Sequence, residues 1–359
     1  IYSSVSGTYK GIAKRMHNSL RPQNHMVIEC DFKQTKVQSF APLDWQSATR
    51  EACVDFVKNA GIVGLGGAGF PTYVKYMKPD GVDYVLINAV ECEPYITADY
   101  RSVMDDAKDL VTGAKIMKKM AEAKTVYICI KESHPDLIEK VKSVLTDAAG
   151  VEVRPVPDVY PMGWERVLVR EVLHKEYGGL PAEAGAIIGN ASSAIAIAKA
   201  FEKGEAITQK NLTVSGECVK DPHNVCVPVG MPVSEIIEAC GGYTQDTVRL
   251  ISGGPMMGKT IVNDMFVVDR AMNALTVLPA ANDDAIACLR CGKCSDHCPS
   301  GLQPVRITAA LKANDVDEMS KRGVMSCIEC GMCTYICPSH IDVTENVRKA
   351  KRIVMLKKK

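Results

Sequence analysis

The sequence predicts an α/β chain that ends in a small helical module rich in cysteine. One observation is a strand–loop–helix pattern, in which "AGAIIGN" is followed by "SSAIAIAKAFEKG", as expected for a buried strand that leads into a helix. Another is uneven cysteine usage, since eight of the 15 cysteines fall between Cys288 and Cys337. A chain of 359 residues is long enough for two to four domains, each with its own core.

Composition narrows the class of protein. A net charge of +1 does not indicate a protein that mainly binds nucleic acid or a membrane surface. We expect no secretory signal, and therefore metal-bound or free thiols in a reducing cytoplasm rather than a disulfide framework. The least polar stretch, "AGAIIGNASSAIAIAKAF", is too polar to span a bilayer. The chain opens "IYSSVSG" without Met, and we expect the natural polypeptide to start earlier.

The segment "GIVGLGGAGFPTYVKYMK" contains a glycine loop with G-x-G-x-x-G spacing at Gly64, Gly66 and Gly69. A strand precedes such a loop in a dinucleotide-binding fingerprint. Here the preceding segment has the pattern of an amphipathic helix, with an apolar face of Ala48, Ala52, Phe56, Val57 and Ala60. We therefore expect a phosphate cradle, in which Pro71 begins a helix and Lys75 places a cation one turn in.

A buried strand beginning at Tyr84 runs into a polar carboxyl end that carries Asn88, Glu91, Cys92 and Glu93. A second strand, "TVYICI", follows after a helical stretch. Ligands of open α/β sheets bind at the carboxyl ends of strands, so these side chains are candidate ligand contacts. The alternative for the two glutamates is a solvated loop.

The segment "LTVSGECVKDPHNVCVPVGMPVSEIIEACGG" has the pattern strand, loop, strand, helix, with Gly241 and Gly242 ending the helix. A hairpin here would bring Cys218 and Cys226 opposite each other, and a disulfide would need Cα atoms within about 7 Å. We hold two hypotheses for this pair: a redox relay to a partner, or inert packing.

Two cysteine motifs, "CLRCGKCSDHCP" and "CIECGMCTYICP", share the spacing C-x2-C-x2-C-x3-C-P. In two-cluster ferredoxins the fourth cysteine of each such run ligates the other cluster. This predicts one [4Fe–4S] cluster on Cys288, Cys291, Cys294 and Cys337, and another on Cys327, Cys330, Cys333 and Cys298. Zinc is the alternative occupant of such thiolate sets. The segment between the motifs, "ITAALKANDVDEMSKRG", predicts two short helices.

Four segments, "GIVGLGGAGFPT", "NAVECEPYITADYR", "GGLPAEAGAIIGN" and "SGGPMMG", together with the cysteine motifs, resemble one family over essentially the whole chain. The family is the C subunit of the Rnf electron-transport complex and, more distantly, the flavin- and NADH-binding subunit of complex I. The resemblance implies four parts: a truncated β hairpin or sandwich of the biotinyl/lipoyl type (1–44), an α/β FMN- and NADH-binding domain (45–207), a β-grasp soluble-ligand-binding module (208–275) and a 2×[4Fe–4S] ferredoxin-like domain (276–359).

The resemblance also implies which residues bind the cofactors. The FMN phosphate and ribityl chain would be held by Gly64, Gly66, Gly67 and Lys75. Contacts to the flavin or ribityl would come from Asn88, Glu91 and Asn190. NADH, as substrate, would stack over the flavin near Phe70, Glu93 and Glu165. The chain departs from the complex I relatives at Val90, where they carry Asp, and at Trp164, where they carry a small or acidic residue.

The activity implied is that of an oxidoreductase of the NADH dehydrogenase type, which passes electrons from NADH to FMN, the two clusters and a protein acceptor. We favour D-proline reductase of amino-acid-fermenting anaerobes as acceptor, because "GECVKDP" stands where Rnf C subunits usually read "GDAVKNP". One alternative is the peripheral C subunit of a membrane Rnf ion pump, and another is a cluster-bearing scaffold whose flavin site is empty. We expect a location in the cytoplasm or at the inner face of the membrane, with no transmembrane segment and no nucleic-acid partner.

Overall fold

The computed structural model describes residues 2–146, 148–280 and 284–357. They form two compact units. The first contains the described residues up to Gly254 together with Gly258–Pro279, and the second contains Pro255–Met257 and the described residues from Ala280 onward. No helix in these ranges is long and apolar enough to cross a membrane.

The first unit opens with a two-stranded antiparallel hairpin, β1 (Gly7–Met16) and β2 (Pro22–Cys30). A four-stranded parallel sheet follows, in the order β5-β4-β3-β6, made of β3 (Tyr84–Ala89), β4 (Thr125–Lys131), β5 (Val151–Val156) and β6 (Ala186–Asn190). Its helices are α1 (Arg50–Asn59), α2 (Ala98–Asp105), α3 (Ala107–Ala121), α4 (Pro135–Ser143), α5 (Glu165–Leu173) and α6 (Ala191–Lys203). Short 3-10 turns span Thr72–Tyr76 and Pro181–Ala184.

The strands are apolar because both faces of this parallel sheet are covered, and Val85, Leu86 and Ile87 of β3 are fully buried. Helix α6 follows β6 directly. Its N-terminus is capped by Asn190, and Gly204 ends it in the left-handed conformation. The sheet and its helices share one apolar core, which leaves the carboxyl ends of β3 and β6 as the polar edge of the layer.

A five-stranded sheet completes the first unit, in the order β10-β9-β11-β7-β8. Its elements are β7 (Gln209–Ser215), β8 (His223–Pro228), α7 (Val233–Ala239), β9 (Val248–Ser252), β10 (Lys259–Ile261) and β11 (Ala274–Pro279). Strands β7 and β11 are parallel, and the other neighbouring pairs are antiparallel. The predicted order of strand, loop, strand and helix is confirmed, with Gly241 at a positive φ after α7.

The second unit is helical. It contains α8 (Lys293–Asp296), α9 (Pro304–Lys312), α10 (Val316–Lys321), α11 (Met332–Tyr335) and α12 (Val343–Lys357), with a 3-10 turn at Val324–Ser326. A small core of buried apolar side chains joins α9, α10 and α12, and four cysteines pack against it. The two short helices predicted between the cysteine motifs are confirmed as α9 and α10.

Two details expected around the glycine loop are wrong. The predicted amphipathic helix is confirmed as α1, and Phe56, Val57 and Ala60 of its predicted apolar face pack in the core, whereas Ala52 is exposed. The helix expected at Pro71 is a single 3-10 turn, so Lys75 lies at the end of a short turn rather than one turn into an α-helix. Because the turn is so short, the loop has no α-helix dipole to attract a phosphate.

Candidate functional site

The carboxyl ends of β3 and β6 lie side by side, and Asn88 is the register partner of Asn190. The Asn190 side-chain oxygen accepts hydrogen bonds from the backbone N–H groups of Ser192 (2.9 Å) and Ser193 (3.4 Å), which caps α6. The Asn88 amide donates to the carbonyl of Gly163 at 2.6 Å. Both asparagines are thus held at one edge of the sheet, at the carboxyl ends of parallel strands, where ligands of open α/β sheets bind.

The glycine loop folds over this edge. Within the loop the Gly64 N–H donates to the Phe70 carbonyl at 2.8 Å, and the Gly69 N–H donates to the Gly64 carbonyl at 3.1 Å. A Cβ atom built on Gly66 would lie 2.9 Å from the Asn190 amide nitrogen, so only glycine allows the loop to approach β6 this closely.

Three consecutive backbone donors of the loop are free. Among residues 2–146, 148–280 and 284–357, no acceptor receives the N–H of Gly66, Gly67 or Ala68. Nothing lies within 4 Å of a Cβ built on Gly67, so open space adjoins this part of the loop. Adjacent unpaired N–H groups beside open space match the phosphate and hydroxyl acceptors of a flavin nucleotide.

Lys75 is paired within the chain. Its ammonium lies 3.2 Å from Glu165 Oε1 and donates to the Ile188 carbonyl on β6 at 2.8 Å. This ties the N-terminus of α5 to the edge strand, and it places two of the predicted cofactor residues in direct contact. Phe70 lies at the end of the loop with its side chain exposed. Glu93 lies near Gly254, where an added Cβ would come within 2.1 Å of Glu93 Cγ.

Two carboxylates, Glu91 and Asp99, lie close to Asn190 and to the start of α2. Glu91 accepts hydrogen bonds from the N–H groups of Asp99 (2.8 Å) and Tyr100 (3.0 Å) at the start of α2. Asp99 in turn accepts from the Asn190 amide and the Ser192 hydroxyl, both at 2.6 Å. Burial, reinforced by Asp99, raises the pKa of Glu91 to about 7. The solvated-loop alternative is therefore wrong for Glu91.

Cys92 also belongs to this edge. Its sulfur accepts a hydrogen bond from the Gly163 N–H at 3.3 Å. Burial raises the pKa of the thiol to about 11, so Cys92 is a neutral thiol at neutral pH. Together with the bond from Asn88, this contact fixes the loop that precedes Glu165.

Three residues at this edge were not identified from the sequence. Asp99 stands inside the quoted "NAVECEPYITADYR" segment, where its acidic side chain close to Glu91 was an available signal. The Ser193 hydroxyl accepts from the Leu65 N–H of the glycine loop at 2.9 Å. Lys210 of β7 donates to the Leu65 carbonyl at 2.8 Å, and nothing in its local sequence distinguishes it from a surface lysine.

The structure does not bring Cys218 and Cys226 together. Cys226 is exposed and pairs with Asn211 across β7 and β8. Cys218 is buried beyond the end of β7, where its N–H donates to the Val277 carbonyl. Four residues, or about 13 Å of strand, separate Asn211 from the end of β7 at Ser215. The strands β7 and β8 do pair, but they do not place the two thiols opposite each other, so that expectation is wrong. A disulfide would need the two Cα atoms within about 7 Å.

The two cysteine motifs form loops of the same shape. Arg290 and Glu329, two residues after the first cysteine, are both left-handed, with φ of 56° and 57°. The glycines two positions later, Gly292 and Gly331, have φ of 83° and 80°. In each loop the left-handed residue donates its N–H to the sulfur of the first cysteine at 3.4 Å. Such N–H···S contacts suit a thiolate that carries charge as a cluster ligand.

One cavity in the second unit is lined by four thiols from both motifs: Cys298, Cys327, Cys330 and Cys333. The pKa of Cys333 is raised to about 11, chiefly by burial, and the neighbouring cysteines add to this effect. A cavity bounded by three cysteines of one run and the fourth cysteine of the other fits the cross-ligation expected for a two-cluster fold. Within the described residues, no three His, Cys, Asp or Glu side chains are placed to hold a single metal ion.

Hydrogen bonds join the chain segments that flank the other predicted ligand set, which is Cys288, Cys291, Cys294 and Cys337. The Ile286 N–H donates to the Ser339 carbonyl at 3.1 Å, and the Ser339 hydroxyl donates to the Ala287 carbonyl at 3.1 Å. These bonds bring the segment before Cys288 to the residues just after Cys337. Cys288 and Cys291 are exposed, whereas Cys330 of the second loop is buried.

A charged network borders the second loop. Glu329 contacts Arg348 (3.1 Å) and Lys351 (3.0 Å), and Lys351 also donates to the Cys327 carbonyl at 2.8 Å. Burial opposes ionisation of Glu329, but Lys351 and Arg348 outweigh it and hold the pKa of this carboxyl below its ordinary value. The network anchors the loop to α12.

Family models match three successive parts of the chain. Residues 57–199 match the Nuo51 FMN-binding domain, residues 211–260 the SLBB domain and residues 280–338 the 4Fe-4S dicluster domain. The chain therefore carries FMN and 4Fe-4S clusters as cofactors. This is consistent with the free N–H donors of the glycine loop and with the cavity lined by cysteines of both motifs.

Similar proteins are C subunits of ion-translocating complexes. The chain is 35% identical to the C subunit of the Proton-translocating ferredoxin:NAD(+) oxidoreductase complex of Clostridium ljungdahlii, covering 85% of this chain and 68% of the relative. It is 35% identical to the C subunit of the Na(+)-translocating ferredoxin:NAD(+) oxidoreductase complex of Acetobacterium woodii, covering 100% and 83%. For the C subunit of the Ion-translocating oxidoreductase complex of Rhodobacter capsulatus the identity is 37%, covering 78% and 56%.

Solved structures share the fold. Crystal structures of NAD+-reducing [NiFe]-hydrogenase in the H2-reduced and air-oxidized states each align with a TM-score of 0.57. Sequence identities are 15% and 16%, and the alignments cover 90% and 88% of this chain and 66% of the hydrogenase chain. At this identity the likeness concerns the fold alone.

Proposed function

The chain belongs to the family of C subunits of ion-translocating ferredoxin:NAD(+) oxidoreductase complexes, and on this premise we propose that it oxidises NADH and passes the electrons to a protein partner. The proposed order is NADH, FMN, the two [4Fe–4S] clusters and then the partner. The observation that carries the proposal is the presence, on one chain, of a glycine loop with free N–H donors and of a cavity lined by cysteines of both motifs. When bound, FMN supplies the conversion between two-electron and one-electron chemistry.

The residues of the β3 and β6 edge would hold FMN. Gly66 and Gly67 offer their N–H groups to phosphate or ribityl oxygens, and Gly64 shapes the loop by its bond to Phe70. Asn88 and Asn190, fixed by Gly163 and by the start of α6, would orient the flavin or its ribityl chain. Support comes from the rigidity of these side chains, because preorganised contacts lower the cost of ordering on binding.

Glu91 and Lys75 would act close to the same ligand. The raised pKa of Glu91 makes this carboxyl a group that changes charge near neutral pH, beside the proposed flavin site. Lys75 contributes a positive charge, which its contact with Glu165 keeps at the edge of β6.

The nicotinamide nucleotide would bind near Phe70, Glu93 and Glu165. An exposed aromatic ring at the end of the loop suits stacking against a base or a nicotinamide. The names of the similar proteins from Clostridium ljungdahlii and Acetobacterium woodii include NAD(+), which supports this choice of substrate.

The clusters would be held as the sequence predicted, one by Cys288, Cys291, Cys294 and Cys337, the other by Cys327, Cys330, Cys333 and Cys298. The shared cavity of the second set supports this interleaving. We also propose the division into parts at 1–44, 45–207, 208–275 and 276–359, with a biotinyl/lipoyl-like hairpin first and a β-grasp module third.

The partner we now propose is a membrane subunit of an ion-translocating complex, reached from the cytoplasmic side. The names of the relatives support this alternative, whereas D-proline reductase, favoured from "GECVKDP", finds no support in them. With Cys218 buried and Cys226 on another part of the sheet, a dithiol relay is not part of the proposal.

Anaerobic reconstitution tests the function. We expect about one FMN and about eight iron atoms per chain, from two four-iron clusters, and bleaching of the flavin absorbance by NADH. Protein that retains iron but no FMN would instead support the scaffold alternative. Co-purification from native extract with membrane subunits, rather than with a soluble reductase, is the expected result for the partner.

A further inference from the structure

Lys210 is a charged side chain in the interior of the first unit. It lies on β7 and is 4% exposed, whereas lysines are almost never this buried unless they are paired. Its three ammonium donors find one acceptor in the part of the chain that the structure describes, the Leu65 carbonyl at 2.8 Å. A side chain from a strand of the five-stranded sheet therefore contacts the backbone of the glycine loop.

The residue that Lys210 contacts is at the centre of the loop. Leu65 is buried, its N–H donates to the Ser193 hydroxyl at 2.9 Å, and its carbonyl accepts from Lys210. The carbonyl of Leu65 and the N–H of Gly66 belong to one planar trans peptide, so they point in opposite directions. When Lys210 holds the carbonyl inward, the Gly66 N–H must point away from Lys210, and this N–H is one of the free donors of the loop.

Three carboxylates act on Lys210 electrostatically. Burial lowers the pKa of the Lys210 ammonium, and the negative charges of Asp99, Asp269 and Glu91 offset part of this effect. Asp99 also accepts a hydrogen bond from Asn190, whose amide nitrogen would lie 2.9 Å from a Cβ built on Gly66. The carboxylates that favour the charged lysine thus include one that holds the neighbour of the glycine loop.

We propose that Lys210 is a positioning residue of the flavin site, which orients the Gly66 N–H toward the FMN phosphate or ribityl chain by holding the Leu65 carbonyl. The proposal rests on the proposed function, because it assigns a role toward FMN. It also gives the five-stranded sheet a part in cofactor binding, since the lysine comes from β7.

The test compares two substitutions of Lys210 with one control. Lys210→Met removes the charge and the donors at similar length. Lys210→Arg keeps both, and a cavity of about 150 Å³ that Lys210 lines leaves room for the larger head group. The control is Lys199→Met on α6, because Lys199 lines the same cavity but pairs with Asp106 at 2.6 Å. FMN affinity of the full-length apoprotein is measured by quenching of flavin fluorescence, and visible circular dichroism of bound FMN reports its orientation.

We expect Lys210→Met to raise the FMN Kd at least tenfold and to alter the flavin dichroism, Lys210→Arg to stay within about threefold of wild type, and Lys199→Met to bind normally. Thermal unfolding of each apoprotein separates this effect from general instability. If Lys210→Met does not fold, Lys210→Gln, which is neutral and too short to reach Leu65, carries the same prediction. A folded Met or Gln variant with wild-type FMN affinity and dichroism overturns the proposal. Wild-type protein that binds no FMN overturns the proposed function instead.

Discussion

Gly66→Ala is the substitution whose effect follows most directly from the geometry of the glycine loop. The added Cβ would lie 2.9 Å from Asn190 Nδ2 and 3.1 Å from Asn190 Cγ, closer than side chains tolerate. Asn190 has little freedom to move away, because its oxygen caps α6 and its amide donates to Asp99 at 2.6 Å. Either the Asn190 contacts or the loop must give way.

The size of the effect follows from the bonds at risk. Loss of an N-cap costs about 1 kcal/mol, and loss of a hydrogen bond to a charged carboxylate about 1.5–3 kcal/mol. We therefore expect Gly66→Ala to lower the free energy of unfolding of the first unit by roughly 2–4 kcal/mol. If the loop moves instead, FMN affinity falls, about tenfold for each 1.4 kcal/mol.

Urea unfolding followed by tryptophan fluorescence is a suitable assay, because both tryptophans, Trp45 and Trp164, lie in the first unit. Gly64→Ala is the matched control. Its Cβ would lie 3.6 Å from the Phe70 carbonyl, an ordinary contact, and it should change stability by about 0.5 kcal/mol or less. If Gly66→Ala matched this control in stability and matched wild type in FMN affinity, the close packing against Asn190 would be refuted.

Three further predictions concern charge and ligation. A carboxyl whose folded pKa is raised to about 7 binds more protons in the folded than in the unfolded state between about pH 5 and 7. Wild-type stability should therefore fall, relative to that of Glu91→Gln, as the pH rises over that range. A constant difference in melting temperature between the two proteins would contradict this. Cys298→Ala and Cys337→Ala should each leave about four iron atoms per chain and remove different clusters, as seen by electron paramagnetic resonance; the same surviving signal in both variants would rule out cross-ligation. Lys75→Ala should weaken FMN retention during desalting, and flavin occupancy equal to that of wild type would remove Lys75 from the site.

Patterns within short stretches of sequence predicted several secondary-structure elements and the spacing of the cysteine motifs. The apolar run of β3 with its polar end, the cysteine spacing and the two helices between the motifs each carry their signal within a few residues, and the structure has these elements. The resemblance to a known family added the assignment of cofactors, which neither spacing nor periodicity could supply. The family models confirm FMN and 4Fe-4S clusters.

The remaining features depend on tertiary contacts. Lys210 reaches Leu65 across 145 positions of sequence, and no periodicity within β7 distinguishes it from an exposed lysine. The Cys218 and Cys226 prediction failed because it assumed a tight hairpin, whereas β7 ends at Ser215 and Cys218 enters the core beyond it. On the predicted apolar face of α1 only Ala52 was misplaced, because alanine fits exposed and buried positions equally well.

The proposed order of electron transfer is tested by anaerobic mixing of the purified protein with NADH, followed at the flavin absorbance and by freeze-quench electron paramagnetic resonance. We expect the flavin to be reduced first, signals of reduced [4Fe–4S] clusters to follow, and the FMN-free apoprotein to show neither. Cluster reduction of equal amplitude in FMN-free protein would contradict this order, because electrons would then enter the clusters without passing through the glycine-loop site.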